Sequence, residues 1–173
     1  MNVRDFNINP FIAVVMRVRH DCVHVIDEIE LHQSDTRLMC EEIQRRYPSR
    51  DVLVCPDPTG KRKQTSSLGL SDHAIIKRYG FKVKAPKAAW AVNDKVNCTR
   101  QFIRDARGDR KLQIDPSCKR LIKSMRNLQF QPGTSHPDQK SQWSHACDSL
   151  SYALLACKHG LTPWAIGRGP RIW

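Results

Sequence analysis

The chain has 173 residues and a formal net charge of +12, with a pI near 9.7; one domain of this length can bury a core without staples. A hydrophobic share of 40% excludes wholesale disorder, and the positive excess favours a polyanionic partner, nucleic acid above all. No run reaches the apolar length of a membrane span, no signal-peptide pattern opens the chain, and the seven cysteines lack CxxC spacing; a soluble intracellular protein with reduced thiols is expected, neither a secreted disulfide scaffold nor a zinc knuckle.

In chain order, Asn2 to Ile8 suits a short first strand, and Asn9-Pro10 marks a turn. Ile12 to His20 is rich in β-branched residues, and Cys22 to Leu31 alternates in period two, with Val23, Val25 and Ile29 among its apolar members. Three strands with short links predict an antiparallel meander. Ser34 can cap a helix to about Tyr47 with Leu38, Met39, Ile43 and Tyr47 on one face, stopped by Pro48. Asp51 to Cys55 reads as a strand covered on both sides, broken by Pro56-Asp57-Pro58-Thr59-Gly60. Further elements follow: a helix near Asp72 to Tyr79, a strand Phe81 to Lys84, and a helix Val92 to Arg107. Next come a strand Leu112 to Asp115, a helix Cys118 to Asn127 with Leu121, Ile122 and Met125 inward, and a polar loop from Phe130 to Gln142. The last helix is His145 to His159, with Ala146, Leu150, Ala153, Leu154 and Cys157 on one side. This order predicts an α/β fold, a mixed sheet of antiparallel and parallel strands flanked by helices. Residues 1–160 form its one domain, and 161–173 an irregular tail rich in Trp, Arg, Gly and Pro.

Three acids mark the pattern: Asp5 on the first strand, Asp57 just past the carboxyl end of the central strand, and Asp148 opening the last helix. Open α/β sheets place sites at such strand ends. Gathered carboxylates repel one another unless a cation sits among them, and hard oxygen ligands suit Mg²⁺ or Mn²⁺. The alternative for each is a cap or a solvated charge, and Asp148 suits a helix N-terminus on charge grounds alone.

Six segments in order resemble the nuclease domain of tailed-phage large terminases. They are RDFNINP at Arg4 to Pro10, VIDEIEL at Val25 to Leu31, and VCPDPTGKRKQTSS at Val54 to Ser67. VNDKVN at Val92 to Asn97, IDPSCKRLI at Ile114 to Ile122 and SHACDSLSYAL at Ser144 to Leu154 complete the series. The resemblance implies a ribonuclease-H-like fold and two-metal cleavage of concatemeric double-stranded DNA with little sequence specificity. It implies Asp5, Asp57 and Asp148 as ligands of Mg²⁺ or Mn²⁺, most simply two ions. His145, one turn before Asp148, would orient a ligand or touch the scissile phosphate, unless it is a capping or surface histidine. Glu28 and Asp94 are further acidic candidates; Asp27 and Glu28 alternate in period two, so at most one of them faces the site.

Lys61, Arg62 and Lys63 follow Asp57, and Arg100 and Arg104 have helical spacing; both sets suit contacts to DNA phosphates. Lys119, Arg120, Lys123 and Arg126 form a third basic cluster. Gly60-Lys61 fails as a nucleotide-binding loop, since Cys55 stands where Gly is needed and Arg62 where Ser or Thr is needed. By the resemblance, the partners would be an ATPase domain lying outside this chain, a small terminase subunit and the portal, with no membrane, in the cytoplasm of a host cell. Trp164, Arg168, Arg171 and Trp173 would then suit docking on the portal or procapsid. Two other functions fit the same residues: a Holliday-junction resolvase or transposase-like nuclease of this fold, and a non-catalytic basic module that binds DNA or docks the motor.

Overall fold

The computed structural model describes residues 10–48, 52–57 and 70–160. The expected first strand with Asp5, the basic run Lys61 to Lys63 and the tail from 161 onward lie outside the described residues. Two compact units interleave along the sequence: 1–13 with 29–89, and 14–28 with 90–173.

Strands β1 (Phe11–Arg19) and β2 (Cys22–Leu31) are joined by the two-residue turn His20-Asp21. His20 takes a left-handed φ of 51° there, the conformation that tight hairpin turns demand. Val23, Val25 and Ile29 are fully buried, as period two predicts. Strand β5 (Leu112–Ile114) runs parallel to β2 with Val23 opposite Leu112 and Val25 opposite Ile114, so the sheet β1-β2-β5 is mixed.

The helices of this second unit are α3 (Val92–Ile103), α4 (Lys119–Asn127) and α5 (Ser144–Lys158). Helix α5 packs against α3 and α4. Leu150, Leu154 and Cys157 of α5, Cys98 and Phe102 of α3 and Leu121 of α4 are all buried there. Trp90 closes one end, with its ring 5.6 Å from that of Tyr152 and stacked 5.9 Å from that of His159. Helix α3 stops at Ile103, short of the expected Arg107: Arg104 turns extended, and Asp105 accepts the backbone N–H groups of Arg107 and Asp109 in a tight turn.

The first unit holds α1 (Thr36–Arg46), β3 (Leu53–Val54), α2 (Asp72–Arg78) and β4 (Lys82–Val83). Strands β3 and β4 pair parallel, with Leu53 opposite Lys82 and Val54 opposite Val83, and form a two-stranded sheet of their own. Residues 52–57 are half-buried, whereas complete cover on both faces is expected from their apolar run. Thr36 Oγ1 donates to Asp72 at 2.7 Å, and the Tyr79 hydroxyl donates to Glu41 at 2.8 Å, tying α1 to α2.

The cap of α1 is Asp35 rather than Ser34. The Asp35 carboxylate accepts the N–H groups of Arg37 and Leu38, while Ser34 is turned inward after Gln33 at φ 49°. On the same helix Met39 and Cys40 are buried, but Leu38 is 49% exposed, outside the inward face that its spacing predicts. Among the described residues no helix is long and apolar enough to cross a membrane.

Candidate functional site

Asp57 follows β3 by three positions, where the strand has ended and the backbone needs other partners. His73, buried on the first turn of α2, supplies one: its Nε2 lies 3.1 Å from the Asp57 carbonyl oxygen. A carbonyl only accepts, so the contact calls for the Nε2–H tautomer. Ser71 caps α2 through its hydroxyl on the Ala74 N–H, which sets the helix start and so the histidine. His73 is a positioning residue that the sequence reading does not single out.

Asp148 sits on the second turn of α5, and Ser151 Oγ donates to its carbonyl at 2.8 Å. Its carboxylate Oδ1 accepts from Lys95 Nζ at 2.8 Å, in an ion pair whose lysine side chain is 9% exposed and whose aspartate is 35% exposed. Lysine is almost never buried without a partner; here Asp148 neutralises it, and the Tyr152 ring, 4.9 Å from Nζ, covers it. The signal for Lys95 is present in the sequence. Lys95, Cys98 and Phe102 fall at i, i+3 and i+7, so a lysine stands on the buried stripe of α3. This ion pair engages Oδ1 alone, and the Asp148 side chain stays 35% exposed. His145 lies half-buried one turn earlier on α5.

Glu28 and Asp94, the further acidic candidates, each stand at a helix start. Glu28 accepts the backbone N–H groups of Arg120 and Leu121, each at 2.7 Å. Helix α4 has no side-chain cap and no acid in its own first turn, so a carboxylate from β2 meets its positive end. Asp94 is exposed in the first turn of α3, the place where an acid offsets the helix dipole. Among the described residues, no group of three or more His, Cys, Asp or Glu is gathered to hold a metal; Asp5 is not one of those residues. Of the basic candidates, Arg100 stands exposed with its guanidinium 5.4 Å from the Phe130 ring. Arg104 is exposed just past the end of α3.

No protein-family model and no curated protein matches the sequence. Solved structures do match in fold. The large terminase of a thermophilic bacteriophage is similar over 87% of this chain, with a TM-score of 0.66 and 14% identity. This chain spans 37% of that protein. The nuclease domain of the g2p large terminase from bacteriophage SPP1, solved with bound Mn, is similar over 86% of this chain and 80% of its own length, with a TM-score of 0.54 and 16% identity. The large terminase nuclease of thermophilic phage G20c, solved with bound cobalt, matches over 88% and 85%, with a TM-score of 0.51 and 10% identity. The chain therefore has the ribonuclease-H-like fold of large-terminase nuclease domains.

Proposed function

We propose that this chain is the DNA-cutting domain of a viral packaging terminase, a divalent-metal-dependent endonuclease acting on concatemeric double-stranded DNA with little sequence specificity. The observation that carries the reading is the fold match along most of the length of two isolated terminase nucleases, one solved with bound Mn and one with bound cobalt. The motif series in the sequence supports it independently.

In this reading Asp5, Asp57 and Asp148 hold the metal. The donor chemistry suits it: hard carboxylate oxygens favour Mg²⁺ or Mn²⁺, and the ion pair with Lys95 engages Oδ1 of Asp148 alone. Bound as a pair, such ions supply an activated water and stabilise the leaving 3′-oxygen. The chain's own residues prepare the ligands. His73 fixes the backbone that carries Asp57, Lys95 fixes one oxygen of Asp148, and His145 stands near enough in sequence to orient a ligand or meet the phosphate. Lys61, Arg62, Lys63, Arg100 and Arg104 would hold the duplex by its phosphates. An ATPase domain, the small terminase subunit and the portal are the partners this role requires, in the host cytoplasm during assembly.

The test is cleavage of supercoiled plasmid with Mn²⁺ or Mg²⁺. Wild type should nick and then linearise ordinary duplex without preferring branched junctions. Asp57→Asn and Asp148→Asn should each lower the rate on the order of a hundredfold or more, the loss of several kcal/mol of metal-borne stabilisation. Variants that cut as fast as wild type would remove these ligands from the proposal, and strong preference for four-way junctions would favour a resolvase.

A further inference from the structure

Several basic residues among those described face acids. In α1, Arg45 and Arg46 both bond Glu42, at 2.7 and 2.6 Å. Arg107 lies near Asp105 and Asp109, and Lys111 near Asp21 and Asp105. Helix α4 is different. Its sequence KRLIKSMRN carries four cations and no acid. Among the described residues, Lys119, Lys123 and Arg126 form no ion pair, and all three are exposed.

Their spacing makes them a row. Leu121 and Ser124 turn inward, so positions 119, 123 and 126, at i, i+4 and i+7, share the outward face. A rise of about 1.5 Å per residue makes the row roughly 10 Å long. Glu28 is occupied by the N–H groups at the helix start, and the Asp138 carboxylate accepts the Lys140 N–H. Neither bonds the row.

Trp143 braces one end of this surface. Its ring lies 5.2 Å from Lys123 Nζ and 4.9 Å from the Arg120 guanidinium, which also donates to the Gln142 carbonyl at 3.0 Å. A cation held on an indole face has already lost part of the rotamer freedom that binding would remove. Trp143 is half-buried beneath these cations, so the surface lacks the exposed apolar centre of a protein interface. A row of exposed cations without acids suits a regular polyanion.

We propose that α4 is a second anchoring rail for duplex DNA, in which Lys119, Lys123 and Arg126 contact successive phosphates and Trp143 holds Lys123 in place. This rests on the reading of double-stranded DNA as substrate and adds binding residues other than the proposed metal ligands. It reads no bases, since the row offers point charges and a partly covered ring rather than groups aimed at base edges.

The test is fluorescence anisotropy of a labelled duplex of about 30 base pairs and arbitrary sequence, roughly three helical turns, titrated with chain in EDTA at several salt concentrations. The triple variant Lys119→Gln, Lys123→Gln, Arg126→Gln changes only exposed side chains, and circular dichroism checks its fold. Its log K against log salt slope should be shallower than wild type by about 2 to 3, near 0.9 for each lost phosphate contact. Affinity at low salt should fall about tenfold or more. Trp143→Leu should weaken binding with a smaller change in slope. An unchanged slope and affinity in the triple variant would overturn the rail, as would a wild-type chain that binds no duplex. Because these measurements need no metal, a rail that passes while wild type never cuts would leave α4 assigned and sink only the nuclease reading.

Discussion

Lys95 and Asp148 lie 53 positions apart in the chain, yet Nζ and Oδ1 meet at 2.8 Å and join α3 to α5 through one ion pair. The pair is asymmetric. The lysine is nearly buried, and the aspartate keeps a third of its side chain exposed.

That asymmetry gives a stability prediction. Asp148→Asn leaves the Lys95 ammonium in place without its counter-charge, whereas Lys95→Met leaves a carboxylate that water can still reach. Breaking a fully buried pair costs about 3–5 kcal/mol; with one partner part-exposed, Asp148→Asn should cost about 1–3 kcal/mol. Lys95→Met should cost less than Asp148→Asn. Urea denaturation of the two variants checks the order, and the reverse order would show that the lysine stem's packing outweighs its charge.

Glu28 offers a separation of roles. As the remote cap of α4, its loss in Glu28→Ala should destabilise the chain by about 2 kcal/mol, within the range of lost caps and charge-assisted bonds. Glu28→Gln keeps one acceptor oxygen and should fall between. Neither should weaken Mn²⁺ binding measured by calorimetry. Weakened Mn²⁺ binding in Glu28→Gln at unchanged stability would assign Glu28 to the metal.

The thiols should differ sharply in reactivity. Burial pushes Cys40 up to about 12 and Cys98 and Cys118 up to about 11. A raised thiol pKa leaves almost no thiolate at mildly alkaline pH, and buried sulfur is also inaccessible. Cys22 is the exposed cysteine, so one fast equivalent with Ellman's reagent in the native chain should disappear in Cys22→Ser. Rapid labelling of Cys40 or Cys98 in the native state would contradict the burial.

The fold is legible in the sequence where local pattern and burial agree. Val23, Val25 and Ile29 announce the inner face of β2 by alternation, and Leu150, Leu154 and Cys157 announce that of α5 by helical spacing. At the start of α1, Ser34 and Asp35 are adjacent and both able to cap; the choice follows from the backbone turn at Gln33, which spacing does not encode. The supports of the candidate site are less visible. Glu28 meets α4 across 92 positions and His73 reaches Asp57 across 16, and such pairings come from topology rather than periodicity. Lys95 does leave a trace, a charge on an apolar stripe, but its partner is not readable from α3 alone. Asp57 and Asp148 stand out only through motifs, because a lone aspartate after a strand or in a helix has the same local appearance whether it binds metal or solvent.

In the proposed site Asp5, Asp57 and Asp148 share divalent metal. A crystal of this chain soaked in Mn²⁺ and measured at the manganese absorption edge tests it most directly. Shared coordination predicts anomalous density within coordination distance of all three carboxylates, and its disappearance in Asp148→Asn. Density elsewhere, or none at these aspartates under soaking conditions in which the wild-type chain cuts DNA, would contradict it.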